Sequence, residues 1–180
     1  MSIYGSQTKG DLVLNVLKYP DSILRKKAMP VEVISKEIFE LVDNMIETML
    51  NEDGLGLAAN QIGSLMRIFV LNTTPMEETP KPVAVINPEI LDKDGTIIDE
   101  EGCLSFPGLY LKVARAGHVR MRAKNLYNED IIYETNGVLA RAIQHEMDHL
   151  NGILFIDHVD KAEENVKKYL DNLTSSTEDE

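Results

Sequence analysis

Residues 135–152 read TNGVLARAIQHEMDHLNG. Leu139, Ile143, Met147 and Leu150 recur at helical spacing, so the segment is expected to be a helix with one apolar side. Asn136-Gly137 opens it and Gly152 closes it. The apolar side seats the helix on a core and aims the other residues inward. His145 and His149 stand four apart and share a face, so both can offer a ring nitrogen to one point. Glu146, beside the first histidine, can reach a water bound to a metal held there. Chance would yield such a triplet in on the order of one chain in a hundred, so it points to a metal without deciding the reaction.

Outward from this helix, RIFVLN (67–72), PVAVIN (82–87), GHVRMRA (117–123) and DIIYET (130–135) are short and β-branched, as strands are. DKDG (92–95), between PEIL and TIID, is expected to turn a hairpin. An earlier helix starts at Ser35, with Ile38, Leu41, Val42, Met45, Ile46, Met49 and Leu50 at helical spacing. GLGLAANQIG (54–63) is glycine-rich and expected to be a loop, and KAEENVKKYLDNL (161–173) a late helix. Strands and helices do not alternate strictly. The expected fold class is α+β, with mostly antiparallel sheet packed around the metal-binding helix and a C-terminal helix. One catalytic domain is expected over 1–172, with 173–180 an acidic, disordered tail.

Composition sets outer bounds. The chain has 180 residues, enough to bury a core without cross-links. A formal charge of −12 argues against nucleic acid as the main ligand. No apolar run is long enough to span a bilayer, and the first residues lack the pattern of a signal or transit peptide. The sole cysteine, Cys103, excludes an internal disulfide and suggests a reducing, cytoplasmic compartment.

The third metal ligand separates the reaction classes. One protease pattern continues HExxH with glycine and a third histidine. This chain follows it through Gly152 and then has Phe155, which cannot ligate. Another takes a glutamate from a later helix, but Glu163 and Glu164 fit a solvated acidic face better. Cys103 remains, in EEGCLSFPG. Gly102 permits close backbone approach, and Pro107-Gly108 is expected to pin the chain into a fixed loop just after. One thiolate and two imidazoles leave a fourth position for water, the mark of a catalytic site.

Three segments, GLGLAANQ (54–61), EGCLS (101–105) and HEMDHLNG (145–152), resemble in order the signature motifs of the peptide deformylase family. YPDSILRKKAMPV (19–31) is similar to that family's opening segment, so the resemblance spans about residues 13–172. It implies removal of the formyl group from N-formylmethionine of newly made proteins. It makes Cys103, His145 and His149 the metal ligands, Glu146 the general acid/base, and Gln61 with the Leu104 N–H the oxyanion hole. It implies Fe²⁺, with Zn²⁺ or Ni²⁺ able to fill the site, whereas the residue types alone suggest zinc.

Leu55, Gly56 and Gly102 are expected to offer main-chain groups to an extended peptide. Val138 and Ala142 are candidates for the methionine slot or are ordinary core. Arg141 falls among them and would make the slot's rim more polar. Arg115 matches a basic position near the family's active site, or is a surface charge. Asp148 and Glu101 are expected to orient neighbours, while His118 and His158 lack ligand spacing. Asn60 replaces a proline common before the motif glutamine, which would loosen the loop. The expected partner is a formylmethionyl peptide or nascent chain, with no nucleic acid, no membrane and a monomeric state. An acidic C-terminal segment makes ribosome docking through it doubtful. The rivals are a zinc endopeptidase using the same helix and a non-catalytic metal-binding module.

Overall fold

The computed structural model describes residues 13–73, 82–160 and 163–176. Among the described residues, two sheets and three α-helices form the fold. A five-stranded sheet has the order β1-β2-β3-β6-β7, and β4 and β5 form a separate two-stranded sheet. Every pairing between the named strands is antiparallel. The strands are β1 (Gly56–Ala58), β2 (Ile68–Leu71), β3 (Val83–Asp94), β4 (Ile97–Cys103), β5 (Phe106–Arg115), β6 (His118–Lys124) and β7 (Asp130–Asn136). The helices are α1 (Lys36–Asn51), α2 (Gly137–Leu150) and α3 (Glu164–Ser176). No helix among the described residues is long and apolar enough to cross a membrane.

β2 shows why the layers form. All four of its residues, IFVL, are buried. Side chains alternate faces along a strand, so Phe69 and Leu71 pack with Ala140, Ala142, Ile143 and Leu150 of α2. Ile68 and Val70 pack on the other side with Ile38, Val42, Met45 and Met49 of α1. The strand is sandwiched between two helices, which requires a continuous apolar run. α2 is buried almost all round, from Leu139 through Glu146, as expected of a central helix.

The hairpin β4–β5 has its own core. Phe106, Leu109, Leu111 and Val113 pack with Leu24, Phe155 and Val166. Phe106 stacks on Tyr19 at 4.9 Å and meets Phe155 edge-on at 5.1 Å. Burying each such ring contributes about 1.5–3 kcal/mol. After α2, Gly152 adopts φ +72°, and a Cβ there would sit 2.3 Å from the Arg25 carbonyl oxygen. This glycine thus lets the 22–28 segment cross the end of α2.

Four expectations change. DKDG does not turn a hairpin within one sheet: β3 pairs with β2 and β6, and β4 pairs with β5. Turn residues mark a reversal but not the partner, and here the chain leaves one sheet for the other. The EGCLSFPG segment is a strand end and tight hairpin rather than a loop. The GLGLAANQIG loop contains β1 and a 3-10 turn over Ala59–Ile62. α3 continues to Ser176, past the expected boundary at 172; residues 177–180 lie outside those described.

Candidate metal centre

β4 ends at Cys103, which pairs with Phe106 across the turn. The turn brings the sulfur onto α2, with Cys103 Sγ 3.3 Å from His149 Nε2. Cys103, His145 and His149 each contribute one ligand atom to a group whose members lie within 4.8 Å of one another. His145 Nδ1 is 3.0 Å from Glu101 Oε2, which leaves Nε2 as its metal-facing nitrogen. A soft thiolate and two imidazoles suit Zn²⁺ or a similar divalent ion. Two buried polar atoms beside the group, Glu146 Oε2 and His149 Nδ1, have no hydrogen-bond partner. The donor set and the unsatisfied carboxylate both fit a divalent ion with solvent beside it.

The electrostatics divide the two glutamates. Burial would raise the Glu101 pKa, but hydrogen bonds from His145 and Arg115 outweigh it and hold the carboxyl well below the usual range. Burial dominates at Glu146 and raises its pKa to about 7, opposed by the charge of His145 and reinforced by that of Glu101. A carboxyl near 7 can both accept and return a proton at neutral pH. Burial also lowers His149, joined by the charge of His145, which favours the neutral imidazole a metal needs. For His145, burial lowers the pKa but the hydrogen bonds to Cys103 and Glu101 raise it overall.

Glu101 is the hub. Its Oε1 accepts from Arg115 Nε and Arg141 Nη1, both at 2.8 Å. Its Oε2 accepts from Arg115 Nη2 at 3.0 Å and faces His145. Arg115 continues to Asp148 at 2.5 Å, and Asp148 to His158 at 2.7 Å. His158 is therefore a member of the network, which its sequence spacing could not reveal. His118 faces Glu134 on the surface, apart from the site.

Gln61 is 2% exposed in the turn after β1. Its Oε1 accepts the Ala58 N–H at 2.9 Å. Nε2 is thereby the donor end, and it donates to Ser105 Oγ at 3.1 Å and to Cys103 Sγ at 3.7 Å. Ser105 was not singled out, although it closes the EGCLS motif. Asn60 is fully buried and donates to the Lys26 carbonyl at 2.6 Å, so this asparagine anchors the turn rather than loosening it.

A cleft of about 470 Å³ opens over these groups. Leu55, Gly56, Gln61, Gly102, Cys103, Leu104, Val138, Ala142, His145 and Glu146 all line it, with Tyr110, Arg141 and the acidic Glu52, Asp53 and Glu100. Gly56 belongs to β1, the outer strand of its sheet, and Gly102 to β4, so the cleft runs between two strand edges. Arg115, expected as a substrate contact or a surface charge, is buried behind α2 and faces a different cleft of about 980 Å³. That larger cleft lacks the Cys/His/His group and Glu146, so the chemistry belongs to the smaller one. Arg141 lines the small cleft, but its guanidinium is committed to Glu101 and main-chain carbonyls rather than to the rim. Phe155, where a third histidine would stand in the protease pattern, is core.

The sequence model of the family described as polypeptide deformylase matches residues 13–165. The peptide deformylase of Thermodesulfovibrio yellowstonii is 46% identical over 147 residues, covering 82% of this chain and 89% of that protein. The peptide deformylase of Clostridium botulinum is 49% identical over 147 residues, covering 82% and 97%. Among solved structures, a peptide deformylase from Legionella pneumophila superposes with a TM-score of 0.83 at 34% identity, covering 93% of this chain and 99% of that one. One from Synechococcus elongatus in complex with actinonin gives a TM-score of 0.83 at 37% identity, covering 89% and 88%.

Proposed function

We infer the chemistry of this chain from the premise that it belongs to the peptide deformylase family: it is a metal-dependent hydrolase that removes the formyl group from N-formylmethionine of newly synthesised polypeptides. Cys103, His145 and His149 would hold the ion, Fe²⁺ foremost, with Zn²⁺ or Ni²⁺ able to serve. When bound, the ion lowers the pKa of a water toward about 7 and draws charge from the formyl oxygen.

The remaining work falls to side chains and backbone. Glu146, with a pKa of about 7, takes a proton from the attacking water. As the formyl carbon becomes tetrahedral, Gln61 Nε2 and the Leu104 N–H donate to its oxygen. Glu146 then returns the proton to the departing amine, the C–N bond breaks, and formate and a free N-terminus remain. The peptide backbone lies between the edges at Gly56 and Gly102 as an added strand. Val138, half-exposed, and Ala142, buried, receive the methionine side chain. Glu101 positions His145, and Arg115 holds Glu101, so neither touches substrate. α3 with the acidic tail would be repelled by RNA phosphate, and the chain acts as a monomer on a peptide or nascent chain.

The observation that carries this assignment is the grouping of the Cys103, His145 and His149 ligand atoms within 4.8 Å. The deciding experiment is an anaerobic preparation with metal analysis and a formate-release assay on a formylmethionyl peptide. Formate should appear, with internal peptide bonds intact. Glu146→Ala should abolish turnover while the ion stays bound. Cleavage of internal bonds would favour an endopeptidase instead, and full turnover by Glu146→Ala would reject the proton shuttle.

A further inference from the structure

The sulfur and the two imidazoles stand on different bodies. Cys103 ends β4 in the two-stranded sheet, whose apolar residues pack with Leu24, Phe155 and Val166. His145 and His149 stand on α2, whose Ala140, Ala142, Ile143 and Leu150 belong to the core of the five-stranded sheet. The two sheets share no strand. Each half of the metal group is thus packed chiefly within its own body; Leu104 crosses to the apolar core around α1, and between the hairpin and α2 the seam carries a set of polar side chains.

Those polar ties are unequal. The Arg115–Glu101 pair lies within the hairpin, between β5 and β4, and does not cross the seam. Gln144 of α2 crosses it at Ala116, where the hairpin rejoins the chain toward β6. Arg115 crosses to Asp148, and His145 crosses to Glu101. Arg141, one helical turn before His145, makes three short crossings at once. Nη1 donates to Glu101 Oε1 and to the Val113 carbonyl, both at 2.8 Å, and Nη2 donates to the Ile97 carbonyl at 2.7 Å. One planar fork thus grips the carboxylate, the β4 main chain and the β5 main chain. Its side chain is 11% exposed, so water competes weakly for these acceptors.

We propose that Arg141 is a positioning residue, which locks the hairpin bearing Cys103 against the helix bearing His145 and His149 and so sets the spacing of the three metal ligands. This rests on the assignment of those three residues as ligands. Arg141 acts through the hairpin, and its guanidinium does not touch the peptide.

The test uses full-length protein loaded with Co²⁺, whose thiolate charge-transfer absorption reports the Cys103 bond directly. In Arg141→Met, Co²⁺ should be held roughly tenfold or more less tightly in chelator competition, as when a residue supporting a metal ligand is lost. The thiolate absorption should fall, and kcat should drop with KM for a formylmethionyl peptide within about twofold. Arg141→Lys keeps the charge but not the fork and should lie between. Affinity and absorption equal to wild type in Arg141→Met would overturn the proposal, as would a raised KM at unchanged kcat. If Arg141→Met does not fold, Arg141→Lys decides alone, and wild-type affinity there overturns it. Absence of the thiolate absorption in the wild-type protein is a separate result: it would reject Cys103 as a ligand, and with it the premise.

Discussion

The carboxylate of Glu146 occupies the space in which a side chain on Gly56 would begin. A Cβ at Gly56 would lie 2.5 Å from Glu146 Oε1 and 2.8 Å from its Cδ. Backbone relief is limited, because Gly56 pairs with Leu71 in the sheet. Gly56→Ala should therefore displace the carboxylate rather than the strand. Misplacing a catalytic group by about 1 Å costs on the order of a hundredfold in rate, so kcat for formate release should fall by about that factor. Thermal unfolding should show a folded protein. A variant with wild-type kcat would mean that Glu146 works from another position.

Gln61 offers a second handle. Its Oε1 is tied to the Ala58 N–H and its Nε2 faces the cleft beside Cys103. Replacing it with alanine removes one donor to the developing negative charge, a loss of about 3–4 kcal/mol in the transition state. kcat should fall by two to three orders of magnitude while bound metal per protein, measured by atomic absorption, stays at wild-type level. If metal content falls in parallel, Gln61 acts on the cysteine loop and not on the formyl oxygen.

Glu101 ties the site to acid stability. Burial alone would raise its folded pKa, but hydrogen bonds from His145 and Arg115 overcome that and hold it below the unfolded one. A depressed carboxyl contributes stability above its unfolded pKa, near 4.5, and that contribution fades as pH falls toward the folded value. Glu101→Ala should strip two buried arginines of their shared partner, at a cost of about 3–5 kcal/mol. Urea unfolding at neutral pH should register that loss, and it should shrink in the acid range where wild-type Glu101 protonates. A loss independent of pH would point to packing as the cause.

The helix at the centre could be read from sequence because apolar periodicity and ligand spacing agree along 137–150. The metal group was legible for a related reason: a sole cysteine and an HExxH helix leave few combinations. The hairpin around Cys103 was hidden. FPGLYLKVAR contains proline and glycine, and its alternation of Leu109, Leu111, Val113 and Arg115 inward ends on a charged residue that looks exposed. Arg115 and Arg141 are buried because Glu101 sits opposite both. That pairing arises only when the hairpin and α2 meet, so no local pattern could mark either arginine as internal. The 92–95 turn misled for a similar reason: it connects strands in separate sheets, and sheet membership is a tertiary property.

Glu146 should impose a pH-dependent burden on the metal-free protein. Its carboxyl is buried, Oε2 lacks a hydrogen-bond partner, and burial raises its folded pKa to about 7 from the ordinary 4.5. The folded state thus binds the proton more tightly than the unfolded chain. Stability from this group is fully present below about pH 4.5, declines as pH rises, and levels off above about 7. The shift corresponds to a cost of about 3 kcal/mol with the carboxylate ionised. Glu146→Gln removes the charge at nearly constant shape. In chelator-treated samples the variant should match wild type near pH 4.5 and exceed it by up to about 3 kcal/mol at pH 8, read from urea midpoints at each pH. An equal difference at both pH values would show that Glu146 has the same pKa in the folded and the unfolded chain, and would leave the proton shuttle without a carboxyl that titrates near neutral pH.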